Sequence, residues 1–544
     1  MQPIPDILHA RPTRRLDVDK TRVALTMAFA GGTSGGLFSE ALDGATVAPS
    51  TWRPSEFAEE LFLQRFVAQC FRLQLGGREP VMHTRHLYAL LSQPPAEPAT
   101  VELRRHVLSE LCARPALQTA LEGVYLDLCR LRGLLENAAG ARVWDENRRR
   151  LDILHAFKAV VDALADGFVE ADSALRRLSE FGQAVRASEP YGALSDLLRC
   201  DAKMASVDVR VSVGVDGSVT GFEVLTVSES GTSAFVNPVW RRWLAKLELF
   251  IRGYRFSDGE VLARLVDAVA SGLELELVAL VQLLGDVEFY LGALGFRAQA
   301  SAAGLAVCLP SFVNPSAPRE LFGLFNPLLL MSGITPIPCD VRSAQLASTT
   351  LVTGPNSGGK TRLLQSLGLT QLLAQSGVFV PARQASVAWA SSLVASLIEE
   401  TRADQAEGRL GMELMRIRSL FEKLPPGALV LLDELCSGTN PSEGEQIFEL
   451  VVTMLSQLQP QAFISTHFLV FAERLQQERR ISGLDFLQVE LDQQRRPTYQ
   501  FVTGVARSSL AAHTAERLGV TFEQLSSLIQ QNLRARSLAS EKAS

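Results

Sequence analysis

A glycine-rich stretch in the second half of the chain has the residue types and the spacing that hold a phosphate group. The stretch reads TGPNSGGKT, in which Gly354 is followed after four residues by Gly359, Lys360 and Thr361. Glycines let successive backbone N–H groups converge on an anion, the lysine adds a positive charge, and the threonine hydroxyl can bind Mg²⁺. The alternative is a glycine-rich turn that matches by chance, so the flanking elements decide between the two.

The elements around this stretch are those that a phosphate-binding P-loop requires. The β-branched run Thr349–Thr353 predicts a strand before it. Leucines spaced at threes and fours predict a helix after it, and Gly377 is placed to end that helix. The predicted nucleotide-binding residues of the loop are Gly354, Pro355, Asn356, Ser357, Gly358, Gly359, Lys360 and Thr361.

Two acids end an apolar run further along the chain. Residues 428–434 read ALVLLDE, which predicts a strand with Asp433 and Glu434 at its carboxyl end. After a P-loop, Asp433 is placed to hold Mg²⁺ and Glu434 to polarise the attacking water, as ABC-type ATPases require. The alternative is a buried strand that merely ends in exposed acids.

A third apolar run ends in Ser465-Thr466-His467. The imidazole of His467 can donate a hydrogen bond to a γ-phosphate. A lone histidine is usually inert, and this one gains significance from its place after the acidic strand. The order of P-loop, acidic strand, small-residue loop and histidine strand is typical of an ABC-type ATPase.

The composition is that of an ordinary chain with a large hydrophobic content. Its 544 residues are 47% hydrophobic and 21% charged, which excludes wholesale disorder and allows roughly two to four domains. The net charge of −6 gives no global attraction to nucleic acid, so such binding needs a local basic patch. Scattered cysteines without C-x-x-C spacing indicate reduced thiols. The apolar run Val23–Ala30 is too short to span a bilayer, and we predict a cytoplasmic protein without a membrane partner.

Hydrophobic periodicity divides the chain into a helical part and an alternating part. A helical period begins at Ser55 and includes the run Val101–Asn137. Alternating valines within Val207–Val227 flank a D-G turn and predict a β-hairpin, after which helical periodicity resumes and continues to about Leu294. Strands are predicted over Val341–Thr353, Ala428–Leu432 and Ala462–Ser465.

Taken together, these segments resemble the MutS family of DNA mismatch-repair ATPases. The resemblance is strong over about 310–525 and weaker before it. The combination of TGPN…GGK with a VPA segment soon after it is specific to that family among P-loop proteins. The matching segments are TGPNSGGKT, GVFVPA at Gly377–Ala382, LVLLDELCSGTNPSEG at Leu429–Gly444, STHF at Ser465–Phe468 and YQFVTGVARSSLAAHTAERLGV at Tyr499–Val520.

The resemblance implies an α/β ABC-type P-loop ATPase domain at the C-terminus. A mainly α-helical core and lever region with a small β-hairpin tip would precede it. Together with the periodicity, this divides the chain into an unassigned N-terminal segment (1–50), a helical core and lever region (51–205), a reduced clamp-like hairpin (206–235), returning lever helices (236–310), the ATPase domain (311–530) and a tail (531–544).

The resemblance also implies cofactors, partners and residue roles. It implies a homodimer with composite ATP sites, in which a signature loop from each partner completes the other's site. The implied cofactors are ATP and Mg²⁺, with Lys360 on phosphate, Thr361 and Asp433 on the metal, Glu434 and His467 in catalysis, and Ile337 of the IPCDV segment against adenine.

Three departures from the family pattern bear on function. Gly408 stands where the signature loop usually has serine, although Glu413 keeps its spacing, so the contact with the partner's site would fall to Arg409 or be weak. No aromatic-x-glutamate segment of the kind that wedges into mismatches is found near the N-terminus, so mismatch reading is not expected. We expect the clamp to be reduced to a hairpin and its flanks, and we expect no endonuclease-type tail after Val520.

The functional prediction is an ATPase that opens and closes dimeric helical arms around a partner. The predicted partner is DNA recognised by its shape, because two closing arms suit shape readout better than base readout. The alternative is a regulatory module whose arms grip a protein, with ATP as a conformational switch.

Overall fold

The structure, a computed structural model, describes residues 3–29, 34–136, 146–202, 206–213, 219–228, 266–330, 332–397, 409–436, 440–458, 460–506 and 520–541. The chain folds into two compact units, each built from two separate stretches. The first unit contains Met1–Thr46 and His106–Phe289, and the second contains Val47–Arg105 and Tyr290–Ser544.

Among the described residues, helices predominate before residue 300 and strands outnumber helices after it. The helices are α1 (Val18–Phe29), α2 (Leu37–Asp43), α3 (Leu63–Cys70), α4 (Thr84–Ser92), α5 (Pro98–Ala113), α6 (Pro115–Glu136), α7 (Glu146–Gly167), α8 (Arg176–Arg186), α9 (Glu189–Ala202), α10 (Glu274–Ala302), α11 (Pro327–Leu330), α12 (Lys360–Ser376), α13 (Arg409–Lys423), α14 (Pro441–Leu458), α15 (Leu469–Glu478) and α16 (Phe522–Glu541). The strands are β1 (Ser206–Val213), β2 (Val219–Ser228), β3 (Ser311–Phe312), β4 (Arg319–Leu324), β5 (Cys339–Ser343), β6 (Thr349–Thr353), β7 (Gln384–Val387), β8 (Leu393–Ser396), β9 (Leu429–Leu432), β10 (Gln461–Thr466), β11 (Leu484–Leu491) and β12 (Pro497–Thr503).

Long helices form most of the first unit. Helix α7 packs against α6 and α8, and α1 and α2 pack against α6. The N-terminal segment that the sequence left unassigned therefore contributes two helices to this unit. Apolar spacings of three and four give α6 a buried stripe, which consists of Leu117, Leu121, Val124, Tyr125, Leu128, Leu131 and Leu135.

Hydrogen bonds hold the first residues of the chain within the same unit. The Arg177 guanidinium donates to the backbone carbonyls of Asp6, His9 and Ala10 at 2.8, 2.7 and 2.9 Å. The buried Asp6 carboxylate is also hydrogen-bonded to Nδ1 of His9 at 3.1 Å. Burial raises the pKa of Asp6, but the His9 hydrogen bond and the positive charge of Arg15 outweigh it and lower the pKa to about 2.

The predicted helical run 101–137 consists of two helices. Helix α5 ends at Ala113 and α6 begins at Pro115. Proline disfavours the helical conformation of the residue before it and is itself well suited to the first position of a helix. The division therefore falls at Arg114, and the last residue of the run, Asn137, lies outside the described residues.

The predicted hairpin region contains two paired strands. Strands β1 and β2 pair antiparallel, from Ser206 opposite Ser228 to Val213 opposite Val219, with two shifts of register. The D-G turn at 216–217 lies outside the described residues. The same holds for 229–265, where the returning helices are predicted to begin.

A six-stranded sheet forms the centre of the second unit, in the order β12-β11-β6-β10-β9-β8. Strand β6 pairs parallel with β10 and β11, and β9 pairs parallel with β8 and β10. The carboxyl ends of parallel strands meet at one edge of a sheet, so the residues after β6, β9 and β10 come close together. The strands predicted over 428–432 and 462–465 are confirmed as β9 and β10.

The predicted single strand Val341–Thr353 was wrong, because it contains parts of two strands in different sheets. Strand β5 ends at Ser343 in a four-stranded sheet of order β3-β7-β4-β5, and β6 begins at Thr349 in the six-stranded sheet. The hydroxyls of Ser343 and Ser348 both donate to the carbonyl of Gln345, at 2.8 and 3.0 Å. These side-chain bonds replace strand pairing in the connecting turn.

Helix α12, which follows the predicted P-loop, is buried on almost every side. All its residues except Thr361 and Arg362 are buried, and it packs against α4 and strands β8, β9 and β10. Its polar residues are buried because they are hydrogen-bonded. For example, Gln371 donates to the carbonyl of Ala388 at 2.8 Å.

The predicted end of this helix at Gly377 is confirmed. Gly377 has a φ of 80°, a left-handed conformation that favours glycine. The guanidinium of Arg104, which is buried, donates to the carbonyl of Ser376 at 3.1 Å. Arg104 thus satisfies one of the carbonyls that a helix leaves without an intrahelical partner at its C-terminus.

Helix α10 is long and apolar enough to cross a membrane by length and composition. Within its most apolar window of 18 residues, however, 94% is buried inside the protein. This degree of burial is typical of a core helix, and α10 is the one helix of this kind within the described ranges.

Candidate nucleotide-binding site

The loop between β6 and α12 adopts a backbone that its glycines permit. Gly354, Ser357 and Gly359 have φ angles of 145°, 66° and 90°, in the range that favours glycine. A Cβ atom on Gly354 would lie 2.6 Å from Cγ2 of Val489 on β11, so a larger residue does not fit there. The loop therefore runs close to β11 before it enters the helix.

Lys360 is the first residue of α12, and only 5% of its side chain is exposed. Its Nζ donates to the carbonyls of Gly354 and Pro355 at 3.1 and 3.3 Å. The same atom lies 3.6 Å from Oε1 of Glu434. The ammonium group is thus held inside the loop, beside the second acid of the DE pair.

Three side chains meet where β9 and β10 end. The hydroxyls of Thr361 and Ser465 donate to the two carboxylate oxygens of Asp433, Oδ2 and Oδ1 respectively. The Ser465 hydroxyl also accepts the backbone N–H of Glu434 at 2.9 Å. The Thr361 hydroxyl and the Asp433 carboxylate are oxygen donors, which Mg²⁺ prefers, so this pair fits the predicted metal.

A cavity of about 820 Å³ lies over the loop. Its walls include residues 356–361, the acid Glu434 and the predicted adenine contact Ile337. Ile337 is 53% exposed, which leaves apolar surface available to a ligand. Residues 356–361 of the loop, Glu434 and Ile337 therefore line the same cavity.

Four of the predicted site residues do not line this cavity, namely Gly354, Pro355, Asp433 and His467. His467 follows β10 at the same edge of the sheet, where it is exposed and its ring centre is 4.3 Å from that of Phe468, but it is not part of the cavity wall. Arg409 is the first residue of α13, and its side chain lies outside the described residues. The same applies to Gly408.

Sequence reasoning missed two residues of this region. Tyr499, 43% exposed, lines the cavity next to the loop, and a Cβ on Gly359 would lie 3.3 Å from its ring. Its neighbour Gln500 donates to the carbonyl of Pro338 at 2.9 Å, which fastens β12 to the segment that carries Ile337. The second missed residue is the serine of the STHF segment. Both residues lie in segments that resemble the MutS family. The resemblance therefore pointed to these segments, but it assigned no function to either residue.

Cys339 also lines the cavity, close to Ile337 in the chain. Burial, followed by the negative charge of Asp340, raises the pKa of this thiol to about 12. The thiol is therefore protonated at neutral pH. In this form Cys339 is an uncharged part of the cavity wall. It is not a metal ligand, because a metal binds the thiolate and not the thiol.

Comparison with known proteins agrees with this geometry. Residues 350–531 match the family model of MutS domain V, from the strand before the P-loop to the last described helix. The chain carries a MutS domain V. The predicted resemblance to the MutS family is thereby confirmed.

Curated relatives extend the similarity beyond this domain. An Endonuclease MutS2 of Thermus thermophilus is 31% identical over 322 residues, which cover 58% of this chain and 40% of that protein. An Endonuclease MutS2 of Streptococcus thermophilus is 28% identical over 304 residues, which cover 54% of this chain and 36% of that protein. The matched part of this chain thus spans about two fifths of the length of the MutS2 relatives.

Proposed function

We propose that this protein binds and hydrolyses ATP with Mg²⁺ at the cavity over the P-loop. The observation that carries the proposal is the meeting of Lys360, Thr361, Asp433 and Glu434 at one edge of the six-stranded sheet of a MutS domain V. In this assignment the loop backbone and Lys360 bind the phosphates. The exposed Ile337 and Tyr499 contact the base.

The proposed chemistry is the attack of water on the γ-phosphorus of ATP, which breaks its bond to the bridging oxygen of the β-phosphate and releases ADP and phosphate. Glu434 polarises the water, and His467 hydrogen-bonds the γ-phosphate and responds to its loss. Thr361 and Asp433 hold the Mg²⁺, whose charge offsets that of the β- and γ-phosphates. The buried ammonium of Lys360 adds charge at the same place, 3.6 Å from the Glu434 carboxylate.

We further propose that ATP turnover closes the helical arms of a cytoplasmic homodimer on structured DNA. Relatives named MutS2 endonucleases support a nucleic-acid partner, because their similarity covers more than half of this chain. In the dimer, the segment around Arg409 reaches the partner's nucleotide. Mismatch reading is not part of the proposal.

The test of this function is ATP hydrolysis by the full chain against a panel of DNA structures. The panel contains single strands, a matched duplex, a duplex with one mismatch, and a branched junction. We expect Mg²⁺-dependent phosphate release that rises most with the junction. Equal stimulation of ATP hydrolysis by all four DNAs would contradict a preference for structured DNA. If the mismatched duplex stimulated hydrolysis most, the expected lack of mismatch reading would be wrong.

DNA binding itself is tested by gel shifts over a series of salt concentrations. Contacts to phosphates release counterions, so the affinity should fall steeply as the salt concentration rises. A protein that shifts no DNA at low salt, with or without ATP, would contradict the DNA partner. That result, with ATPase activity intact, would favour the protein-gripping alternative.

A further inference from the structure

Ser465 lies at the centre of the site, although the proposed ATPase chemistry does not use it. It is the second-to-last residue of β10, which lies between β6 and β9 in the sheet, and its side chain is buried. Strand β6 leads into the P-loop and β9 into the acids Asp433 and Glu434. Ser465 is therefore placed between the two halves of the proposed ATP site.

The Ser465 hydroxyl makes two hydrogen bonds that no apolar residue could make. It donates to Oδ1 of Asp433 and accepts the backbone N–H of Glu434 at 2.9 Å. A hydroxyl has one donor hydrogen and two acceptor lone pairs, so one group can serve both neighbours. With Oδ1 held by Ser465, the other oxygen of Asp433 is directed at Thr361.

The backbone that this hydroxyl supports is unusual. Glu434 has a φ of 47°, in the left-handed region that residues other than glycine rarely adopt. Such a conformation persists only where its surroundings enforce it. The backbone N–H of Asp433 donates to the carbonyl of Ser396 at 2.9 Å, and Ser465 holds the next N–H along the chain.

We propose that Ser465 is a positioning residue that fixes the orientation of both acids of this site, Asp433 and Glu434. Its hydroxyl fixes the Asp433 carboxylate so that Oδ2 and the Thr361 hydroxyl together present oxygens to a divalent cation. It also fixes the Glu434 backbone that aims the water-polarising side chain. The inference rests on the proposed Mg²⁺–ATP function and adds to it the residue that prepares the metal site.

The test uses two disruptive substitutions of Ser465, one conservative substitution and a matched control in the full chain. Ser465→Ala removes the hydroxyl, and Ser465→Cys replaces it with a slightly larger thiol that is only a weak donor and a weak acceptor. Ser465→Thr retains a hydroxyl and should rescue the site. The control is Ser392→Ala, because Ser392 is 4% exposed and its hydroxyl makes no hydrogen bond within the described residues.

The first readout is Mn²⁺ binding in the presence of ADP, followed by the electron paramagnetic resonance of free Mn²⁺. Loss of a residue that orients a metal ligand typically weakens metal binding about 10-fold to 100-fold. We expect a loss of about tenfold or more for Ser465→Ala and Ser465→Cys in this assay, by the same reasoning. Ser465→Thr and Ser392→Ala should bind Mn²⁺ like the wild type.

The second readout, ATP hydrolysis against Mg²⁺ concentration, separates this inference from the proposed function. We expect Ser465→Ala to need more Mg²⁺ for half-maximal activity and to reach a lower maximum. An active wild type with unchanged metal dependence in the Ala and Cys variants would overturn the role of Ser465 alone. A wild type without Mg²⁺-dependent turnover would overturn the proposed function and this inference with it.

Discussion

Asp433 shows how single residues prepare this site. Hydroxyl groups from two different elements, α12 and β10, hold its two carboxylate oxygens. If Asp433 binds the proposed cation, a carboxylate held in this way would lose little further freedom on binding. Lys360 shows the same principle, since its ammonium is held by the carbonyls of Gly354 and Pro355.

Substitutions of Lys360 and Glu434 should separate nucleotide binding from hydrolysis. Lys360→Ala removes the buried charge and should abolish detectable ATP binding, measured with a fluorescent ATP analogue. Glu434→Gln keeps the size of the side chain but cannot accept a proton, so binding should persist while phosphate release falls by roughly 10²-fold to 10⁴-fold. Glu422→Gln, at an acid that is 56% exposed on α13, is the control and should have no effect. A wild-type rate in Glu434→Gln would remove the role given to this carboxylate.

At the scale of elements, local patterns predicted most of the site and long-range packing explains what they missed. The apolar runs before Asp433 and His467 are short and continuous, so β9 and β10 could be located from the sequence. The break between β5 and β6 has neither glycine nor proline and depends on serine hydroxyls, which gave no signal. The place of Tyr499 beside the loop depends on where β12 lies in the sheet, and spacing along the chain contains no such information.

The end of α12 offers a test of element packing. A Cβ on Gly377 would lie 2.8 Å from Cβ of Arg104 and 2.9 Å from the carbonyl oxygen of Val101. Gly427 has a similar φ of 75° but nothing within 4 Å of such a Cβ. Gly427→Ala should therefore cost only the left-handed conformation, about 1 kcal/mol. Gly377→Ala adds a backbone clash and should lower the thermal unfolding temperature clearly more. Equal shifts in the two variants would contradict the close contact between α5 and α12.

The N-terminal segment should be sensitive to acid through Asp6. The pKa of Asp6 is lowered from 3.8 to about 2 in the folded chain, so its carboxylate stabilises the fold above pH 3.8. This stabilisation is on the order of 2 kcal/mol and is lost as the pH falls from about 4 to about 2. Asp6→Asn should lower the unfolding temperature at pH 7, and the difference from wild type should narrow in that acidic window. Asp17→Asn, at a half-exposed carboxylate, is the control, and a pH-independent effect of Asp6→Asn would contradict the assignment.

At the scale of the whole molecule, both compact units are discontinuous in the chain. Helices α5 and α10 each continue from one unit into the other, at residues 105–106 and 289–290. Both of these boundaries between the units therefore lie within a helix. Composition and periodicity describe a chain in linear order, so they cannot reveal which distant stretches fold together.

The proposed closure predicts a change of mass and shape with ATP. Glu434→Gln with ATP and Mg²⁺ should accumulate as a closed dimer of twice the 59.3 kDa chain mass, because the nucleotide is bound and not released by hydrolysis. Light scattering gives the mass, and small-angle X-ray scattering gives the radius of gyration. Lys360→Ala with ATP is the control and should match the nucleotide-free wild type. Identical mass and radius in the two variants would contradict ATP-driven closure.

The burial of α12 also bears on how this protein can vary. A helix with one solvent-exposed face tolerates substitutions at every third or fourth position, so the tolerated positions recur with the period of the helix. Helix α12 has no such face beyond its first turn, because its residues pack against α4 and three strands. In a saturation mutagenesis library, intolerance should therefore run unbroken from Leu363 to Gly377.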